Sequence, residues 1–161
     1  MLIGLNRMIG MPVIWQDRQL GCVERAVPDM DARRLDGLVV RKGIGWARWI
    51  RGEDVLLVGK SCVLLKRQPE RRAPKATSEM RRVFLTTGEC AGEVTDAILH
   101  SSSLLLAALE VSQGPFYRLM GRCGYAMRFH LSGSGEGGQV VIQQLLSWTQ
   151  LVKQLGEEDE G

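Results

Sequence analysis

Apolar residues in this chain fall in short runs separated by glycine, proline and polar turns. Residues 12–15 form one such run, which ends at Gln16-Asp17-Arg18-Gln19. Residues 20–27 are partly β-branched and stop at Pro28, and residues 35–41 carry Val39-Val40 and stop near Gly43. Residues 55–58 end at Gly59-Lys60, and the run 62–65 follows. Short strands spaced about 8–12 residues apart, with turn signals between them, predict a mainly β fold built as a small barrel or sandwich. Further on, Tyr125, Met127, Phe129 and Leu131 alternate with Ala126, Arg128 and His130. That period of two predicts one strand with one buried face.

The pattern changes near the end. Val141, Leu145, Trp148, Val152 and Leu155 are spaced 4, 3, 4 and 3 apart. This predicts an amphipathic helix over residues 139–156, with Gly156 as its C-cap and an acidic tail at 157–161. A Gly/Ser linker at 132–138 precedes it. Such a helix either docks on its own barrel or pairs with another chain, which makes its stripe a candidate oligomer or partner surface.

The chain also repeats itself. Gly21-Cys22-Val23 followed by Ala26-Val27 matches Gly92-Glu93-Val94 followed by Ala97-Ile98, at an offset of 71. At the same offset Leu35, Leu38, Val40 and Gly43 match Leu106, Leu109, Val111 and Gly114, and Val13-Ile14 falls on Phe84-Leu85. A gapless offset over this span predicts a duplicated unit; two copies are too few for a solenoid. The expected units are residues 8–65 and 80–131.

Charge sharpens the division. The 161 residues carry a net charge of +3. Residues 1–65 hold 10 basic and 7 acidic groups, 66–82 hold 7 and 2, and 83–161 hold 4 and 9. The stretch 66–79, with two prolines and no large apolar residue, is expected to be an extended basic linker. Lys66, Arg67, Arg71, Arg72, Lys75, Arg81 and Arg82 form the candidate polyanion-binding site. The site lacks aromatic residues for base stacking. The four cysteines form no CxxC pair and are expected to be buried, reduced thiols, as in a cytoplasmic protein. No signal-peptide pattern opens the chain, and no apolar run approaches the roughly 18 residues needed to span a bilayer. A membrane would be met through a surface or a partner.

These residues resemble the PRC-barrel family. In the first copy the resemblance rests on Gly10-Met11-Pro12-Val13-Ile14, Leu20-Gly21-Cys22-Val23 and Leu35-Asp36-Gly37-Leu38-Val39-Val40. In the second it rests on Thr87-Gly88-Glu89-Cys90-Ala91-Gly92-Glu93-Val94-Thr95-Asp96-Ala97-Ile98, on Leu109-Glu110-Val111-Ser112-Gln113-Gly114 and on Gly121-Arg122. The first copy departs where Arg25 replaces the Asp96 type of residue. The resemblance implies two tandem small barrels of about six strands each, of the kind found in the photosynthetic reaction-centre H subunit and in bacterial ribosome-maturation factors. It implies a platform for binding other proteins, sometimes near RNA, with no common catalytic residues.

The residues add no enzyme signature. Gly59-Lys60-Ser61 ends like a phosphate loop, but Asp54 stands where the motif needs glycine. Gly43-Ile44-Gly45 fails the dinucleotide fingerprint at Arg48. His100 and His130 have no recognisable partner set. Asp29, Asp31 and Asp36 lack calcium-loop spacing. Trp15, Trp46 and Trp49 are either core or, for the last two, a partner surface flanking Arg48. The expectation is therefore a cytoplasmic, non-enzymatic adaptor or assembly platform without cofactor or metal. It is expected to bind protein partners and to self-associate through the helix. The alternative is an RNA- or ribosome-associated factor that uses the basic linker.

Overall fold

The structure, a computed structural model, describes residues 1–70, 81–133 and 138–159, with the side chains of 157–159 left out. Of the candidate polyanion-binding residues, Arg71, Arg72 and Lys75 lie outside the described residues. The fold is mainly β. Two compact units are present: Met1–Thr77 with Ile98–Leu106, and Ser78–Ala97 with Ala107–Gly161.

The first unit opens with β1 (Leu2–Gly4) and the single turn α1 (Leu5–Met8). Then come β2 (Pro12–Trp15), β3 (Arg18–Asp29), β4 (Arg34–Arg41), β5 (Arg48–Arg51), β6 (Val55–Val58) and β7 (Val63–Leu65). The sheet runs β5-β4-β3-β2-β7-β6, a curled half-barrel. Gln16 and Asp17 both adopt positive φ between paired Trp15 and Arg18, the two-residue turn that matches strand twist. Val13, Val23, Leu38, Val40, Ile50, Val58 and Val63 fill the core. Each such side chain contributes about 1.5–3 kcal/mol of burial.

The second unit holds β8 (Arg82–Leu85), β9 (Cys90–His100), β10 (Leu106–Ser112), the short α2 (Pro115–Leu119), β11 (Gly124–Ala126), β12 (Phe129–Ser132), β13 (Gln139–Ile142) and α3 (Trp148–Asp159). Its strand order is β11-β10-β9-β8-β13-β12. In each sheet the first hairpin strand is flanked on its other side by a parallel neighbour, β7 against β2 and β13 against β8. Gly21 and Gly92 share a further feature. Both have positive φ, and a Cβ on either would strike the neighbouring strand's carbonyl, that of Arg41 or of Ser112. Those two carbonyls are themselves 71 residues apart.

The tip of the β9–β10 hairpin, Ile98–Leu106, is part of the first unit. There β1 pairs antiparallel with Ile98, Leu99 and His100. Leu35 N–H donates to the Leu104 carbonyl, and Leu106 N–H to the Arg33 carbonyl, both at 2.9 Å. Arg33 and Leu104 both have left-handed φ, 52° and 60°.

Four expectations need correction. Residues 139–142 are strand, and the helix starts only at Trp148 and runs past Gly156 to Asp159. The reasons are local. Val140-Val141-Ile142 is a β-branched run laddered to Val83, Phe84 and Leu85. Ser147 and Gln150 then form a reciprocal capping box: Gln150 N–H donates to Ser147 Oγ at 3.2 Å, and Ser147 N–H to Gln150 Oε1 at 2.9 Å. Next, residues 125–131 are not one strand. They break at Met127-Arg128, so that Ala126 and Phe129 both turn inward. Third, Val13 aligns with Val83 rather than Phe84, because Val13 pairs Gly21 and Val83 pairs Gly92. The longer turn at 86–89 absorbs the extra residue. Last, all four cysteines are free but none is buried, and Cys90 is exposed.

Candidate functional site

The predicted apolar stripe is divided by the fold. Val141 lies half-buried on β13. Leu155 is buried together with Leu151, and these two seat α3 against its own unit. Leu146 completes the seat through paired backbone bonds with Tyr125, at 2.8 and 2.9 Å. Leu145, Trp148 and Val152 are left exposed. The Trp148 ring meets Tyr125 edge-on, with centroids 5.2 Å apart. Gly124 makes this possible, because a Cβ there would stand 2.9 Å from the Leu145 side chain.

Behind Tyr125 lies a polar cluster that the sequence patterns did not reveal. Glu110 on β10 is its centre, with its side chain largely buried. Thr95 Oγ1 donates to Glu110 Oε1 at 2.8 Å, and Tyr125 Oη to Glu110 Oε2 at 3.5 Å. The Arg118 guanidinium, on α2, stands 3.5 Å from Oε1. One carboxylate thus ties β9, β10, β11 and α2 together. Burial first, and the Glu110 charge second, push the Cys123 thiol up. The same two causes push Tyr125 up to about 12. A raised thiol is the reverse of what a nucleophile needs, and a protonated tyrosine serves as a donor. The cluster works as a clamp that keeps Tyr125 under Trp148. Its sequence signal was available: Glu110 and Tyr125 interrupt otherwise apolar strands.

The basic candidates among the described residues stand in different local settings. The Arg67 Nε lies 2.8 Å from Oδ1 of the buried Asp54, an ion pair without hydrogen-bond alignment. Arg67 therefore serves a carboxylate of its own chain. Lys66 borders a cleft of about 470 Å³ in the first unit, shared with Arg34, Arg51, Asp36 and Glu53. Its walls thus mix three basic with two acidic side chains, and Arg51 is paired with Glu53 at 3.0 Å. Arg81 is half-buried, with its guanidinium beside Gly138, and Arg82 is exposed at the start of β8.

The tryptophans separate as well. Trp49 is core at 3% exposure, Trp15 is half-buried, and Trp46 is 97% exposed. Trp46 shares the β4–β5 connection with the fully exposed Ile44. The β10–β11 connection likewise exposes Phe116, Tyr117, Leu119 and Met120. Among the described residues, no helix is long and apolar enough to cross a membrane. Comparison with protein-family models and with curated proteins finds no match to this chain.

Proposed function

We propose that this chain is a non-catalytic, cytoplasmic protein-binding platform composed of two tandem PRC-type barrels. The duplication is supported by the shared strand order and by the matched glycine and hairpin-tip geometry at an offset of 71. The binding role rests on one observation: Trp148 and Val152 stay exposed on α3 along the edge of the stripe that Leu151 and Leu155 seat, with exposed Leu145 just before the helix. A tryptophan flanked by aliphatic side chains is the usual composition of an interface centre. Because the helix is already docked, a partner would not have to order it, which lowers the entropic cost of association.

The test compares full-length tagged protein with a Trp148→Ser/Val152→Ser variant in capture from native lysate, with and without nuclease. A discrete protein that survives nuclease and is lost with the variant is the expected result. Light scattering on both proteins reports whether that partner is a second copy of the chain. Recovery of RNA and ribosomal proteins only, all lost with nuclease, would overturn the reading in favour of the basic residues 66–82.

A further inference from the structure

Each unit, taken by itself, exposes large apolar side chains on the connection after the third strand of its sheet, β4 in the first and β10 in the second. In the first unit this is the turn after β4. Gly45 N–H donates to the Lys42 carbonyl at 3.1 Å, which closes the turn. The Arg41 guanidinium braces it, donating to the Gly45 carbonyl at 2.9 Å and pairing with Glu24 at 3.0 Å. Ile44 and Trp46 stand out from this braced turn at 105% and 97% exposure. In the second unit the connection after β10 is the short α2. Arg118 N–H bonds the Gly114 carbonyl, and the Arg118 side chain faces Glu110. Phe116 and Leu119 project from it at 67% and 87% exposure.

The two connections have the same chemistry around those side chains. Residues 41–48 contain Arg41, Lys42 and Arg48 and no acidic residue. Residues 113–124 contain Arg118 and Arg122 and no acidic residue. In each, one arginine is held by a carboxylate of the sheet, which leaves Lys42, Arg48 and Arg122 to meet outside charge. The apolar side chains project outward from turns. They do not line a groove, so they offer no concave seat to a folded partner. A projecting tryptophan or leucine beside basic residues suits a fluid interface with apolar depth and anionic headgroups. We propose that both connections are sites for shallow insertion into an anionic lipid surface. This goes beyond the adaptor reading and uses different residues, since α3 is not involved.

The test is flotation of the full chain with vesicles of phosphatidylcholine alone or mixed with phosphatidylglycerol, at low and high salt. The expected result is flotation with the anionic vesicles only, weakened by salt. Ile44→Ser/Trp46→Ser and Phe116→Ser/Leu119→Ser should each weaken partition by about tenfold, the effect of removing two inserted apolar side chains. Lys42→Glu should weaken it further and flatten the salt dependence. These side chains are exposed, so the variants should keep the parent's circular dichroism and melting curve, which separates lost binding from misfolding. No flotation with anionic vesicles at low salt, or flotation unchanged in both double variants, would overturn the proposal. So would an oligomer in sedimentation velocity that the Ile44/Trp46 variant dissolves while vesicles stay unbound; that result would assign the turn to contact between copies. Loss of protein capture in the Trp148/Val152 variant with flotation intact would show that the two readings stand or fall separately.

Discussion

Two sheets with one strand order solve the same position in opposite ways. In the first, Leu38 faces Ile50; in the second, Leu109 faces Ala126, and all four side chains are buried. One residue further along, Val39 faces Trp49, whereas Glu110 faces Tyr125. The first unit fills its outer layer with the indole. Gly37 leaves the space, since a Cβ there would strike Trp49 and the Ile50 carbonyl. The second unit places a carboxylate and a phenol there, ties them to Thr95 and Arg118, and covers the ring with Trp148 from α3. A sheet face needs a second layer. One unit draws that layer from its own strand and the other from an added helix, which leaves Trp148 and Val152 exposed at the edge of its seat.

The largest effect should come from breaking the apolar solution. Trp49→Ala should cost about 3–5 kcal/mol, the range for truncating a fully buried aromatic. Urea denaturation should show Tyr125→Ala to be clearly milder, because Tyr125 is only half-buried. Equal losses would mean that the two positions carry the same load and would undo the contrast. Next comes the added helix. Leu151→Ala removes a side chain at 0% exposure and should cost about 2–4 kcal/mol. An unchanged melting curve would make α3 a detachable appendage and undo the contrast between the units.

A smaller effect concerns pH. Tyr125 has its pKa pushed up to about 12 from an ordinary 10.0, by burial first and by Glu110 second. The folded chain therefore holds a proton that the unfolded chain releases earlier. That contribution is whole below pH 10.0 and drains away as pH rises toward 12. Tyr125→Phe should remove this alkaline slope while leaving stability at neutral pH within about 1.5 kcal/mol, the worth of one hydrogen bond. A slope that persists in Tyr125→Phe would assign it elsewhere. The smallest effect is chemical. Cys123, raised by burial and Glu110, should be alkylated more slowly than the exposed Cys90, as read by mass spectrometry of the modified peptides. Glu110→Gln should narrow the gap between them.

Much of the fold was legible because strand signals are local. Gln16-Asp17 marks its own turn, and the alternating or β-branched runs mark β2, β3 and β4. The end of the chain was misread where two signals compete. A spacing of 4 and 3 runs through Val141 and Leu145, but the residues around Val141 are β-branched, and Ser147 with Gln150 carries the capping box that starts α3. The candidate sites were less legible. Arg67 reads as one member of a basic run, yet its partner Asp54 lies 13 positions earlier and meets it only after β6 and β7 form.

By itself, then, the sequence determined a β-rich chain with repeated glycine and hydrophobic positions, punctuated turns and a C-terminal helical stripe. These are set by backbone sterics and by side-chain period within a few residues. Tertiary structure decided which face of that stripe is seated, why Glu110 can be buried, that Trp49 is core while Trp46 is not, and that the tip Ile98–Leu106 packs within the first unit. Burial and charge pairing depend on neighbours far away along the chain, and the order of residues does not show which neighbours those are.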